Sequence, residues 1–157
     1  MGETEFVQLL AANQGIIGKV CSLYCGQRED YEDLFQEIIY QAWKGYGSFR
    51  GESKFSTWLY RIALNTAISS LRRRRPEVMA VAELPDHFSE GHGGDDRFGE
   101  LLWAIPQLGE GDRAITALYL EDMSYREIAE VTGISEGNVG VKINRIKQRL
   151  RTIMLRT

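Results

Sequence analysis

Residues 76 to 96, PEVMAVAELPDHFSEGHGGDD, break the chain in two. The stretch holds two prolines, three glycines and many acids, and its apolar residues follow no period. Such a composition buries too little apolar surface to offset the entropy of ordering it, and it reads as a solvated linker. Whatever packs on either side must bury its own apolar face. The expected organisation is a unit over residues 1–75, an acidic flexible linker over 76–97 and a second unit over 98–157.

On both sides the apolar spacing is helical. Phe6, Leu9, Leu10, Ile16, Ile17, Val20, Leu23 and Tyr24 recur mostly at three and four, predicting a helix over 5–26 that Asn13 and Gly15 are placed to break. Leu34, Phe35, Ile38, Ile39, Ala42 and Trp43 form an apolar stripe over 31–46, and a third helix runs over 54–75 to Pro76. Four shorter helices are expected over 98–105, 112–119, 125–132 and 136–154. No strand-like alternation competes, so the expected fold is all-α: two small helical domains joined by an acidic flexible linker. No apolar run approaches the roughly 18 residues of a bilayer crossing. MGETEFVQLL carries acids where a secretory leader carries Lys or Arg, which points to a cytoplasmic protein.

Cys21 and Cys25 lie four apart on one helix face. Metal binding would need more ligands, and the only histidines, His87 and His92, fall in the linker, so buried small hydrophobes are the expected role. No cofactor, metal or small-molecule substrate is implied, and no Ser/His/Asp or Cys/His constellation suggests catalysis.

Net charge is −3, unevenly spread. Residues 76–111 hold one Lys/Arg against eight Asp/Glu, whereas from 137 to the end there are six basic residues and no acid. That cationic tail belongs to SYREIAEVTGISEGNVGVKINRIKQRL, which has the form of a helix-turn-helix. Ser124 with Glu127 makes a capping box, Gly133 permits the turn, and Ser135 caps a second helix whose Val139, Ile143, Ile146 and Leu150 face inward. Its other face presents Asn138, Lys142, Asn144, Arg145, Lys147, Arg149 and Arg151, which is either a solvated face or a phosphate- and base-contacting one. The unmixed sign of the charge favours DNA.

A second stretch, SFRGESKFSTWLYRIALN at 48–65, gathers Phe49, Phe55, Trp58 and Tyr60 among Arg50, Lys54 and Arg61 and ends on Asn65. Rings, cations and an amide are what hold unstacked bases. The rings are equally accounted for as core.

In order, DLFQE, SFRG and FSTWLYRIALN followed by basic residues resemble the first domain of bacterial sigma factors of the extracytoplasmic-function (ECF) group. IPQL and the helix-turn-helix resemble their second domain. The resemblance covers about residues 6 to 151. It implies a subunit of RNA polymerase, with core polymerase (clamp helices of the large subunit, and flap) and promoter DNA, both double- and single-stranded, as partners, and an anti-sigma factor as inhibitor. By the same resemblance the polymerase-docking helix falls on Asp33, Gln36, Glu37 and Gln41. Recognition and melting of the −10 element falls on Phe49, Arg50, Lys54, Phe55, Trp58, Arg61, Asn65, Arg72 and Arg73, with Asn65 at the pocket for a flipped base. The −35 element falls on Ser135, Asn138, Lys142, Asn144, Arg145, Lys147 and Arg149. The chain departs from the common pattern at Gly140 and Val141, where an Arg and a Ser are usual, which shifts expected reading to Asn138, Asn144 and Arg145. The linker either tethers or threads a cation-lined polymerase channel. Two other readings stay open: an autonomous helix-turn-helix regulator, and a helical adaptor whose Trp58 and Tyr60 line a small-molecule pocket.

Overall fold

The computed structural model describes residues 2–74 and 96–155. Among these all the regular structure is helical: α1 (Glu3–Ala12), α2 (Gln14–Tyr24), α3 (Arg28–Tyr46) and α4 (Phe55–Arg74), then α5 (Asp96–Ala104), a 3-10 turn (Ile105–Gln107), α6 (Glu110–Leu120), α7 (Tyr125–Thr132) and α8 (Glu136–Leu155). The expected linker lies outside the described residues, except that its last two already belong to α5. His87 and His92 lie outside them as well.

The expected helix over 5–26 is two helices bent by 60°. Asn13 makes the break: its side-chain amide donates to the Leu9 carbonyl at 2.8 Å and its backbone N–H to Leu10 at 3.1 Å, an alternative to the helical ladder that Asn readily supplies. The α6 helix begins at Glu110, two residues before its apolar period, because Glu110 and Asp112 complement the positive end of the helix dipole. Among the described residues no single helix is long and apolar enough to cross a membrane.

Four helices make the first unit. α4 packs chiefly on α2 and α3 and buries Leu59, Ala63, Leu64 and Ala67 against Ile17, Val20, Leu34, Ile38 and Ala42. Cys21 and Cys25 are free and buried in the same core, where burial, with Cys25 adding to it, pushes the Cys21 thiol up to about 12. In the second unit α8 lays Val139, Ile143, Ile146 and Leu150 against α6 and α7, which contribute Ile115, Leu118, Ile128 and Val131.

The units are joined by a polar seam that the sequence pattern did not announce. Arg113 of α6 is only 5% exposed. Its Nε donates to the Leu108 carbonyl at 3.0 Å, a terminal nitrogen donates to the Leu23 carbonyl at 3.3 Å, and the guanidinium lies 5.4 Å from the Tyr24 ring centroid. Tyr24 donates its hydroxyl to the Glu110 carbonyl at 2.6 Å. Lys19 pairs with Glu121 at 2.6 Å, Arg72 pairs with Glu110, and α4 rests on α7. A cavity of about 530 Å³ remains between the units, lined by Gly18, Leu23, Tyr31, Tyr60, Ala117 and Leu120 among others.

Removing Arg113 strands two carbonyls inside this seam. Arg113→Ala is expected to lower unfolding free energy by about 2–3 kcal/mol, the range for lost hydrogen bonds from a charged donor, measured by urea titration; a loss below 0.5 kcal/mol would show the seam to be incidental.

Candidate nucleic-acid interface

Three surfaces carry the residues singled out by the sequence. The first is built on α4 and the loop before it. Gly51 takes φ +75°, a left-handed turn that places Phe49 back over the helix. Phe49, Phe55 and Trp58 then form a triangle of rings with centroids 5.2 to 5.8 Å apart, capped by Tyr46 at 6.2 to 6.4 Å. Phe55 is 8% exposed and serves as the base of this cluster rather than as a face offered to a ligand; its position opening α4 turns it toward the core. Phe49 and Trp58 are half-buried and keep part of their rings at the surface. Lys54, Trp58, Arg61, Asn65 and Arg72, spaced at three- and four-residue steps or their sum, share one stripe of α4 opposite Leu59 and Ala63. All but Trp58 are exposed, as are Arg50 and Arg73. Arg72 at the far end is engaged by Glu110. Trp58 and Tyr60 diverge: Tyr60 is buried at the seam cavity, so the two do not line one pocket.

The second surface is the helix-turn-helix. Ser124 Oγ accepts from the Glu127 N–H at 3.1 Å and Glu127 accepts from the Ser124 N–H at 3.0 Å, completing the expected capping box. These hydrogen bonds hold the Glu127 carboxyl below its ordinary value. Gly133 closes α7 at φ +80°, its N–H bonded to Ala129. Ser135 Oγ accepts from the Asn138 N–H at 3.2 Å, so the hydroxyl is used in capping α8. Asn138, Asn144, Arg145 and Arg149 stand exposed on α8 and Lys142 is half-buried. Lys147 is turned aside: its Nζ lies 4.9 Å over the Tyr119 ring, and a hydrogen bond with that side chain raises its pKa.

The third surface is the outer face of α3. Asp33 and Gln36 are exposed, and half-buried Gln41 donates to Glu37 at 2.8 Å. Trp43, expected in the apolar stripe, is instead 47% exposed beside Tyr40 at 55%, because the core phase of α3 is set by Leu34, Ile38 and Ala42. Both rings therefore join the face of Gln36 and Asp33, with Lys44 over Tyr40 at 5.3 Å and Phe6 backing Trp43 at 5.2 Å. Sequence reasoning missed them: position 43 lies about 100° from Ala42, at the margin where a ring fits either face of the helix. Among the described residues no cluster of His, Cys, Asp and Glu is arranged to hold a metal.

This architecture has known counterparts. Residues 9–77 match the Sigma-70 region 2 family and residues 99–150 match Sigma-70, region 4. The ECF RNA polymerase sigma-E factor of Haemophilus influenzae is 35% identical over 139 residues, covering 78% of this chain and 74% of that protein. The chain is an ECF sigma factor.

SigW of Bacillus subtilis, also an ECF RNA polymerase sigma factor, is 28% identical over 165 residues, covering 95% of this chain and 88% of its own. The fold agrees with that of the sigma factor RpoE solved with the anti-sigma factor NepR from Bartonella quintana, at a TM-score of 0.75, 21% identity and 96% coverage of both chains. It agrees also with CnrH solved with the cytosolic domain of CnrY, at a TM-score of 0.71, 22% identity and coverage of 98% and 89%. As a member of its family the sigma factor binds RNA polymerase and directs promoter-specific transcription initiation.

At Gly140 the sigma factor seats the Tyr125 ring against α8: a Cβ there would stand 3.3 Å from a ring carbon. Tyr125 is exposed and free to swing, so the helix-propensity gain of about 1 kcal/mol for replacing Gly by Ala outweighs the contact. Gly140→Ala should raise the denaturation midpoint, whereas Gly133→Ala, forced into the left-handed region, should cost about 1–2 kcal/mol; equal signs would refute this reading of the turn. A depressed carboxyl contributes stability above its ordinary pKa, near 4.5 for Glu127, and loses it as pH falls through the folded value. Ser124→Ala should thus cost about 1 kcal/mol at neutral pH, and the gap from wild type should narrow below pH 4 in thermal melts.

Proposed function

We propose that the sigma factor holds the −10 element on the exposed stripe of α4 and the −35 element on α8, opening the duplex by capturing unstacked −10 bases. The observation that carries this is the stripe itself. Lys54, Arg61 and Asn65 surround a half-buried Trp58 whose edge is braced by Phe49 and Phe55. A braced ring offers a stacking surface at little entropic cost, cations beside it serve the phosphates, and the Asn65 amide can pair with a base edge. Unstacking costs a few kcal/mol and stacking on protein returns roughly 1–3 per base, so capture can bias the duplex open without a chemical step. Phe55 acts here as the support of the platform. On α8, Asn138, Asn144, Arg145 and Arg149 serve the groove and its phosphates, with Lys142 beside them, while Ser135 caps the helix and Lys147 stays with Tyr119.

Core polymerase docks on α3 through Asp33, Gln36, Glu37 and Gln41. Exposed Tyr40 and Trp43 add the aromatic anchors typical of interface centres. The clamp helices of the large subunit are the counterpart of this face, and the flap that of the second unit. The first domain ends near residue 75 and the second begins with α5, and the acidic linker between them suits a cation-lined channel. An anti-sigma factor is the expected inhibitor, in keeping with the solved neighbour that carries one, and the site of action is the cytoplasm. The two promoter elements lie roughly 25 base pairs, or about 85 Å, apart at 3.4 Å per step. One compact body cannot reach both, so the Arg113 seam has to part when DNA is engaged.

Reconstituted transcription with core polymerase tests the reading. Trp58→Ala or Asn65→Ala should slow open-complex formation at least tenfold, followed by permanganate reactivity of unpaired thymines, while closed-complex affinity changes less than threefold. Equal losses at both steps would remove the capture role and leave a folding role.

A further inference from the structure

The outward face of α8 carries two apolar side chains among its polar ones, Leu155 at the last residue of the helix and Val141 near its start. Val141 is 48% exposed, in a helix whose Val139, Ile143, Ile146 and Leu150 are buried. At about 100° per residue, position 141 points almost directly away from the mean direction of those four, which makes it the apex of the exposed face. Its neighbours one turn away are Gly137, Asn138, Asn144 and Arg145, all exposed. Gly137 has no side chain and no neighbour within 4 Å of where a Cβ would stand, and Gly140 is covered by Tyr125 from the side. The surface around Val141 is therefore low on its N-terminal side, and the isopropyl group stands proud of it at the second turn of the helix.

An exposed valine in mid-helix contributes little to folding and is a poorer helix former than Ala, Lys or Arg. It gains something only if a partner covers it. The major groove offers one apolar feature that distinguishes bases, the C5-methyl group of thymine, and the end of a recognition helix nearest its N-terminus is the part that reaches base edges. Resting on the −35 reading given above, we propose that Val141 is a specificity-determining residue that reads a thymine methyl in the −35 element, replacing a hydrogen-bonding reader with an apolar one. Asn138, Asn144 and Arg145 ring the contact and serve its neighbours and the backbone. Burying one methyl is worth about 0.8 kcal/mol, a factor of about four in affinity.

The test uses the full chain with core polymerase. A promoter library randomised over the −35 window gives the preferred element, and each thymine in it is then replaced singly by deoxyuridine, which lacks only the methyl. Wild type should lose about fourfold in complex formation at one position. Val141→Ser, folded like wild type because the site is exposed, should be indifferent to that replacement, and Val141→Ile should keep the sensitivity. A preferred element without thymine on either strand, no position sensitive to the methyl, or equal sensitivity in Val141→Ser would each overturn the assignment while leaving −35 reading intact. If scrambling the whole element leaves complex formation unchanged, −35 reading and this assignment fall together.

Discussion

The packing of α4 against α2 and α3 is the constraint from which the first unit follows. Once Leu59, Ala63 and Ala67 are committed to Ile17, Val20 and Ile38, the helix has no rotational freedom left. Everything on its far side is then turned outward together: Lys54, Trp58, Arg61, Asn65 and Arg72. The same commitment draws Phe55 inward, where it props Phe49 and Trp58 from beneath. A buried aliphatic layer thus makes a surface stripe of rings, cations and an amide that no pair of those residues could specify alone.

The second unit follows a comparable logic with a different device. A capping box starts α7, a left-handed glycine ends it and a serine cap starts α8, so the angle between two short helices is set by backbone hydrogen bonds rather than by bulk. The four apolar residues of α8 then choose which face looks out. That face has glycines at 137 and 140 and valine at 141, where longer polar groups would reach further. The helix surface is low there, around one raised isopropyl group.

Between the units the seam is polar and specific. Arg113 satisfies carbonyls from both units and stacks on Tyr24, while the surrounding cavity leaves the apolar contact incomplete. Hydrogen bonds and ion pairs of this kind, with exposed Lys19 and Arg72 among them, hold an arrangement without making it as costly to open as a continuous hydrophobic core.

What the sequence determined by itself is the local part. The helix-turn-helix boundaries, its caps, the inward stripe of α8 and the four-residue spacing that buries Cys21 and Cys25 all depend on residues within four or five of one another, and short-range periodicity and turn chemistry report those directly. The break at Asn13 was legible for the same reason. What only the tertiary structure decided is rotational phase and long-range partnership: that Trp43 looks out and Phe55 in, that Lys147 folds over Tyr119 instead of reaching outward, and that Arg113 finds the Leu23 carbonyl 90 residues away. A ring at a helix boundary fits either side of an amphipathic pattern, and a lone arginine in an apolar run says nothing of which carbonyl will need it. Those choices are made when distant helices compete for the same buried volume, and the spacing of neighbours carries no record of that competition.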